Sequence, residues 1–256
     1  MSIPYHRELS PSGGQLARVL VGGPSLVVRF PSSFGKCDRQ VGVFMCTDKH
    51  YDLSSLHKKS RNQTRRGLDN CTVERLQFPD LERDGINLNV DTYRRQGKDP
   101  RSFEAGRWRT FCRVAGETRD VEAWGAWVKG SLAAFAVTAL IEDSLYIYTQ
   151  ASATEYLEFY PNNALTFLLT KQKLALPGVR SICYGVKTLT RPTLDEYKMR
   201  MGFEVKTFGE RIVFNPLLRL VLSLGGDKAV HWIAKRRPEG GWGRLSLMLD
   251  GRKLEN

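Results

Sequence analysis

The run SLAAFAVTALIEDSLYIYTQ (131–150), followed by FYPNNALTFLLTKQKLALPGVRSICYGV (159–186), decides how this chain folds. Leu132 to Ile141 is a long apolar run with β-branched members, and Leu145 to Gln150 is short and aromatic-rich. Asp143 and Ser144 between them are turn residues, so the pair reads as an antiparallel hairpin. Pro161 stands where a helix start tolerates proline, with Asn162 or Asn163 as its N-cap. Leu165, Leu168, Leu169 and Leu176 keep helical spacing, and Pro177-Gly178 ends the helix. A strand over 180–186 puts Ile182, Tyr184 and Val186 on one face and Ser181, Cys183 and Gly185 on the other. Strand, helix and strand joined so closely predict a right-handed crossover with parallel pairing. Thr193 and Glu196 have capping-box spacing for the next helix, whose stripe is Leu194, Tyr197 and Met201, with Lys198 at its edge and Gly202 as its stop. Phe203–Phe208 and Arg211–Phe214 then read as a last hairpin turning at Gly209-Glu210.

Upstream, Leu16–Val21 is a helical turn or a strand, and Ser25–Phe30 and Gln40–Thr47 read as a hairpin. Asp52–Asn70 reads as one helix capped by Asp52, with a weak stripe of Leu53, Leu56, Ser60, Thr64 and Leu68. Its other side carries Lys58, Lys59, Arg61, Arg65 and Arg66 with no acid between them. Such a cluster is either a solvated face or a contact for phosphate or nucleic acid; no aromatic residue interleaves it, so base stacking is not indicated. Cys71–Gln77 is a strand, Asn87–Val90 a short weak one, and Asp91–Arg95 the start of a helix. Phe103–Val114 is a helix with one buried side, and Val121–Val128 a strand turning at Lys129-Gly130 into Leu132.

A chain of 256 residues can bury a full core as one large domain or two small ones. Its net charge of +12 favours an anionic partner or describes an ordinary basic surface. The five cysteines have no CxxC spacing and the four histidines no HxxxH or HExxH pattern. Reduced thiols, no metal site and a cytoplasmic chain are expected, since no signal peptide or membrane span is visible. After Pro216, the leucines of 217–224 and the segment KAVHWIAKRR (228–237) suit a helix on an anionic membrane surface or one docked on the parent domain. One strand is expected around Leu245–Leu249.

This order of elements resembles the GCN5-related N-acetyltransferase (GNAT) fold, and more specifically its FemAB-like, peptidoglycan-bridge aminoacyltransferase-like branch. The likeness rests on KKSRNQTRR (58–66), KGSLAAFAV (129–137), FYPNNALTFLL (159–169) and LDEYKMRMGFE (194–204). It implies an α/β (α+β) fold: a mixed, mostly antiparallel central sheet flanked by helices, with an extra N-terminal hairpin and a C-terminal helical tail. The expected division is an N-terminal extension (1–40), the acyltransferase domain (41–214) and the tail (215–256).

The resemblance implies transfer of an acetyl, longer acyl or aminoacyl group to an amine, the donor lying in a V between strands 145–150 and 180–186. Lys198 is then the residue at the substrate or at the charge forming on the carbonyl. Tyr184 is the candidate general acid, the alternative being a core tyrosine, and Glu158 the candidate base. Donor contacts are expected from Tyr148, Gln150, Asn162, Asn163, Arg61 and Arg65. The glycine-rich loop that grips a pyrophosphate in the wider superfamily is missing: its place reads SATEYLEFYPNNA (152–164). The donor is thus an acyl-CoA bound differently, an acyl carrier or an aminoacyl-tRNA. Contact with tRNA or with the inner face of a membrane, through 58–66 and 217–237, is also expected. The competing reading is a basic, non-catalytic GNAT-like domain that binds RNA or an anionic membrane.

Overall fold

The computed structural model describes residues 4–23, 25–97, 99–100, 103–187, 192–236 and 246. All of the strand expected at 245–249 except Ser246 lies outside them, as does Arg237. Eight strands form one mixed, mostly antiparallel sheet in the order β1-β8-β2-β7-β6-β5-β4-β3, flanked by helices. The chain divides into two compact units, one of residues 43–206 and one of 1–42 with 207–256.

In the larger unit the second half of β2 (Arg39–Cys46) leads to a 3-10 turn at Leu53–Ser55 and then to α2 (Lys58–Asn70). The single helix expected from Asp52 is therefore two elements: Asp52 caps the turn, and His57 caps α2. The buried face of α2 is Ser60, Thr64 and Gly67, all small. They let α2 lie close against α5 (Pro161–Leu174): a Cβ on Gly67 would stand 2.7 Å from the Tyr160 carbonyl oxygen and 3.2 Å from the Ala164 Cβ. Gly67→Ala is expected to cost about 1–3 kcal/mol in denaturant unfolding, because the contact is with backbone and cannot rotate away.

Strand β3 (Thr72–Leu76) is followed by α3 (Phe78–Arg95), one long helix where a short strand and a helix start were expected. Its buried positions Leu81, Gly85, Leu88, Asn89 and Thr92 do keep helical spacing, but three of the five are small or polar and hid the period. Helix α4 (Ala105–Glu117) precedes the meander β4 (Val121–Val128), β5 (Ser131–Ile141) and β6 (Ser144–Ser152). Both connections turn through residues at positive φ, Lys129-Gly130 and Glu142.

After β6 come a 3-10 turn (Thr154–Phe159), α5 and β7 (Ser181–Val186), which pairs parallel to β6 as the crossover predicts. Helix α6 (Pro192–Arg200) ends at Gly202, φ +84. Thr193 lies inside α6 rather than at its cap, so the expected capping box is not formed.

Helices cover both faces of this sheet. Leu165, Leu169 and Phe167 of α5 pack on Trp124, Ala134, Ala136, Leu145, Ile147 and Ile182. Leu81 and Leu88 of α3, with Trp108 and Cys112 of α4, pack on Phe135, Val137 and Ala151.

In the smaller unit the expected hairpins are corrected. Residues 204–214 form one strand, β8 (Glu204–Phe214), with no turn at Gly209-Glu210. Gly209 pairs with Ser32 of β1 (Val27–Ser32), whose carbonyl oxygen would lie 2.4 Å from a Cβ there, so this glycine serves close approach. β8 separates β1 from β2, so those two strands are not a paired hairpin. Glu210 is buried between Arg39, 2.7 Å away, and Arg29, at 3.5 Å. The segment expected as turn or strand is α1 (Gly13–Leu20), fixed by a Ser12–Gln15 capping box. The tail holds α7 (Pro216–Val221), a π turn (Leu222–Gly226) and α8 (Asp227–Arg236).

Candidate functional site

A one-residue irregularity in β6 organises the site. Val137 pairs with Thr149 and Thr138 with Ile147, so Tyr148 is the extra residue of a β-bulge. Leu145 and Ile147 face α5 before it. Tyr148 and Thr149 both face the α3–α4 side, where they line one cavity. Gln150 returns to the α5 side, donating to Asn162 Oδ1 at 3.0 Å and to Thr166 Oγ1 at 3.2 Å. Strict alternation would have sent Gln150 to the other face.

At the same level β6 and β7 part. Their parallel ladder runs Ser144–Ser181, Leu145–Ile182 and Tyr146–Cys183 and then stops, although both strands continue. On its other edge β7 carries a bulge of its own: Val43 of β2 pairs with Val186 and Met45 with Cys183, leaving Tyr184 and Gly185 opposite Phe44. Gly185 has φ +72, a conformation that a side chain would strain.

Across the opening the Tyr184 hydroxyl donates to Gln150 Oε1. Burial, then the charge of Tyr197, pushes the Tyr184 phenol well above the ordinary tyrosine value, so it is a proton donor and not a phenolate. Tyr197 of α6 donates to the Asn162 carbonyl at 3.0 Å and Thr166 Oγ1 at 3.1 Å, and Asn162 Nδ2 donates to Ser152 Oγ at 2.8 Å. Arg95 of α3 holds Ser152 Oγ in turn at 3.0 Å. The result is a continuous polar chain from α6 through α5 and β6 to α3. Lys198, 5% exposed, brings its Nζ to 4.7 Å from the Phe44 ring centroid and 5.2 Å from that of Tyr184. A Cβ on Gly185 would lie 3.7 Å from the same nitrogen.

The structure therefore brings together Lys198, Tyr184, Gln150 and Asn162. Thr166 and Tyr197, which the sequence reading did not single out, complete the set; Tyr197 had been placed in an apolar stripe. Asn163 is buried, its amide nitrogen 3.5 Å from Met201 Sδ. Glu158 is on the exposed side of the 3-10 turn and makes no hydrogen bond or ion pair with this group among the described residues. Tyr148, 63% exposed, stacks on Phe111 on the opposite face of the sheet.

The start of α5 differs from expectation. Tyr160 occupies the N-cap in a left-handed conformation, and its carbonyl accepts both the Asn163 amide (3.1 Å) and the Ala164 amide (3.2 Å). These amides are spent within the helix and are not free for an anion. Side chains on α2 stand nearby instead: Arg66 lies over the Tyr160 ring, 4.9 Å from its centroid, and Arg65 is exposed one residue earlier. The Arg61 guanidinium donates to the Ser54 and Leu56 carbonyls, both at 3.1 Å, and so ties α2 to the preceding turn.

Cys183 is fully buried beside this opening, and burial pushes its thiol up to about 11, which leaves no thiolate for a covalent relay. Among the described residues no group of three or more His, Cys, Asp or Glu side chains is placed to hold a metal ion, and no helix is long and apolar enough to cross a membrane.

No protein-family model matches the sequence, and a search of the curated proteins finds no match. Among solved structures, FemX superposes with a TM-score of 0.58 at 13% identity, over 70% of this chain and 63% of FemX. The chain thus spans less than two thirds of FemX. The C-terminal domain of a putative lysylphosphatidylglycerol synthetase from Agrobacterium fabrum gives a TM-score of 0.44 at 12% identity, over 72% of this chain and 61% of that one. A putative GNAT-family acetyltransferase from Desulfovibrio desulfuricans gives 0.43 at 13% identity, over 56% of this chain and 98% of that one. The likeness to FemX is one of fold, and the mixed, mostly antiparallel sheet flanked by helices is consistent with a GNAT-like fold.

Proposed function

We propose that the chain is an N-acyltransferase working at the opening between β6 and β7. The observation that carries this reading is the end of the β6–β7 ladder after Tyr146 and Cys183, with Tyr184, Gln150 and Lys198 gathered where the strands part. The amine enters as its free base, since the exposed Glu158 takes no part. Its nitrogen attacks the acyl carbonyl, an N–C bond forms, and negative charge on the carbonyl oxygen is met by the Lys198 ammonium. As the C–S or C–O bond to the donor breaks, the Tyr184 hydroxyl gives its proton to the leaving sulfur or oxygen. The proton released by the new amide returns to Tyr184. In this step the leaving group replaces Gln150 Oε1 as the acceptor of the Tyr184 hydrogen bond.

The donor is an acyl-CoA, an acyl carrier or an aminoacyl-tRNA. With the Asn163 and Ala164 amides spent, its phosphates fall to exposed Arg65 and to Arg66 at the same helix start, while Arg61 positions α2. Incubation of the chain with radiolabelled acetyl-CoA, or with aminoacyl-tRNA, and a panel of amines tests the function: transfer to an amine is expected, and no transfer from either donor would overturn it. Arg65→Glu combined with Arg66→Glu is expected to raise the donor Kd about tenfold or more at low salt, and less at high salt. Filter binding across a salt series measures it.

The tail supports a second, separate role at an anionic membrane surface. Leu218, Leu222 and Val230 dock on Val27, Ile212 and Phe214, while Leu217, Leu220, Leu224 and Trp232 stay exposed beside exposed Arg219, Lys228 and Lys235. Co-sedimentation with phosphatidylglycerol vesicles, but not with phosphatidylcholine vesicles, is expected, and loss of that preference in Leu217→Ser/Leu224→Ser would locate it.

A further inference from the structure

On the α3–α4 side of the sheet, a cavity of about 310 Å³ lies against the two bulge residues of β6. It is lined by five aromatic rings: Tyr93, Phe103, Trp108, Phe111 and Tyr148. Trp108, Phe111 and Tyr148 form a stack, with centroids 5.5 and 5.7 Å apart and planes within 26° and 16° of parallel. Phe103 closes the row at 6.0 Å from Trp108, and Tyr93 meets Phe103 edge-on at 5.5 Å. The buried Trp108 is held in place by its indole N–H on the Glu82 carbonyl at 3.2 Å.

The polar groups of this cavity are few. Asn89 of α3, 6% exposed, donates to the Gly85 carbonyl at 3.1 Å, which leaves its carboxamide oxygen to accept. Thr149 adds a hydroxyl from the bulge itself. The charged lining residues are Glu104 and Arg107, which pair with each other at 2.6 Å and are largely exposed. Among the described residues that line it, no carboxylate is left over to balance a polycation.

From this the structure assigns the cavity to the acceptor, and its class to a primary amine carried on a flat aromatic body. The ring of such a molecule extends the Trp108–Phe111–Tyr148 stack, and its nitrogen donates to Asn89 Oδ1 and Thr149 beside the bulge. A polyamine or an amino sugar finds neither countercharge nor enough hydrogen-bonding partners here. The assignment deepens the acyltransferase reading and rests on it for the word acceptor, but binding itself needs no donor.

Isothermal titration of the full chain without donor separates the two. With 2-phenylethylamine as probe, saturable binding is expected. It is expected to weaken about five- to tenfold in Tyr148→Ala, an exposed position whose loss leaves the core intact, and similarly when 2-phenylethanol replaces the amine. Spermidine is expected to bind at least about tenfold more weakly than 2-phenylethylamine. Absence of 2-phenylethylamine binding, equal binding of spermidine, or an unchanged affinity in Tyr148→Ala would each overturn the assignment. Binding without any acyl transfer would leave it standing as an amine site while removing the enzyme reading. Transfer to amines that ignore this cavity would do the reverse.

Discussion

Tyr184→Phe is expected to slow acyl transfer by about 10²-fold or more, the scale of a lost general acid. The substitution keeps the ring, which packs edge-on to Phe203 at 5.4 Å, and removes only the hydroxyl that reaches Gln150. A stability cost of about 1–2 kcal/mol is expected, because Gln150 Oε1 loses the closer of its two donors and keeps only the Thr166 hydroxyl at 3.4 Å. The pH profile discriminates an acid from a packing residue. Burial holds the phenol protonated well past its ordinary value of 10.0, so the wild-type rate stays on its plateau there and falls only at higher pH. That alkaline limb is expected to vanish in Tyr184→Phe. The same raised pKa makes a stability statement: the folded state holds its proton where the unfolded chain has lost it. Stability contributed by the neutral buried phenol is therefore whole below the ordinary tyrosine value and is lost as pH climbs from there toward the folded value. A variant with wild-type rate and an unchanged alkaline limb would reduce Tyr184 to a core tyrosine.

The second large effect is at Lys198. Lys198→Met keeps the length of the side chain and removes the charge that sits over the Phe44 and Tyr184 rings. The rate at saturating substrate is expected to fall about 10²- to 10³-fold with little change in KM, as when a donor to a developing oxyanion is removed. A loss of stability is expected beside it, since the substitution takes a buried ammonium away from its partners in the fold. Thermal unfolding beside steady-state kinetics separates the two effects. A Met variant that keeps its rate would assign Lys198 to packing alone.

Where local chemistry and tertiary role agree, the chain is legible from its residues. The β5–β6 hairpin, the proline start of α5, the parallel β7 and the stop at Gly202 follow from apolar runs, Pro161 and a glycine at positive φ, although the hairpin turns at Glu142-Asp143 and Ser144 already belongs to β6. Three of the misreadings share one physical source: residues chosen for close approach rather than for local preference. Gly209 reads as a turn but permits contact with the Ser32 carbonyl. Ser60, Thr64 and Gly67 read as a poor apolar stripe but form the seam against α5. Gly85 and Asn89 masked the helical period of α3 for the same kind of reason, with Trp108 packed where a Gly85 side chain would project. Of the candidate site, Lys198, Tyr184, Gln150 and Asn162 are named by analogy. Thr166 and Tyr197 were missed because a hydroxyl on an amphipathic helix carries no signal of what it meets. The aromatic cavity was missed because its rings come from α3, α4 and β6, which only the fold assembles.

The extra residue at Tyr148 gives β6 something like a reading frame. Up to Ile147 the strand is read in one phase, and from Gln150 onward in the other. Deleting Tyr148 would take out the extra residue and restore plain alternation, so that Thr149 would still face α4 and Gln150 would still face α5. The bulge therefore adds a second side chain to the α3–α4 side without altering the pairing that delivers Gln150 to Tyr184. A single-residue deletion at 148 is expected to spare the Gln150–Tyr184 hydrogen bond and to cost the α3–α4 side the ring that stacks on Phe111.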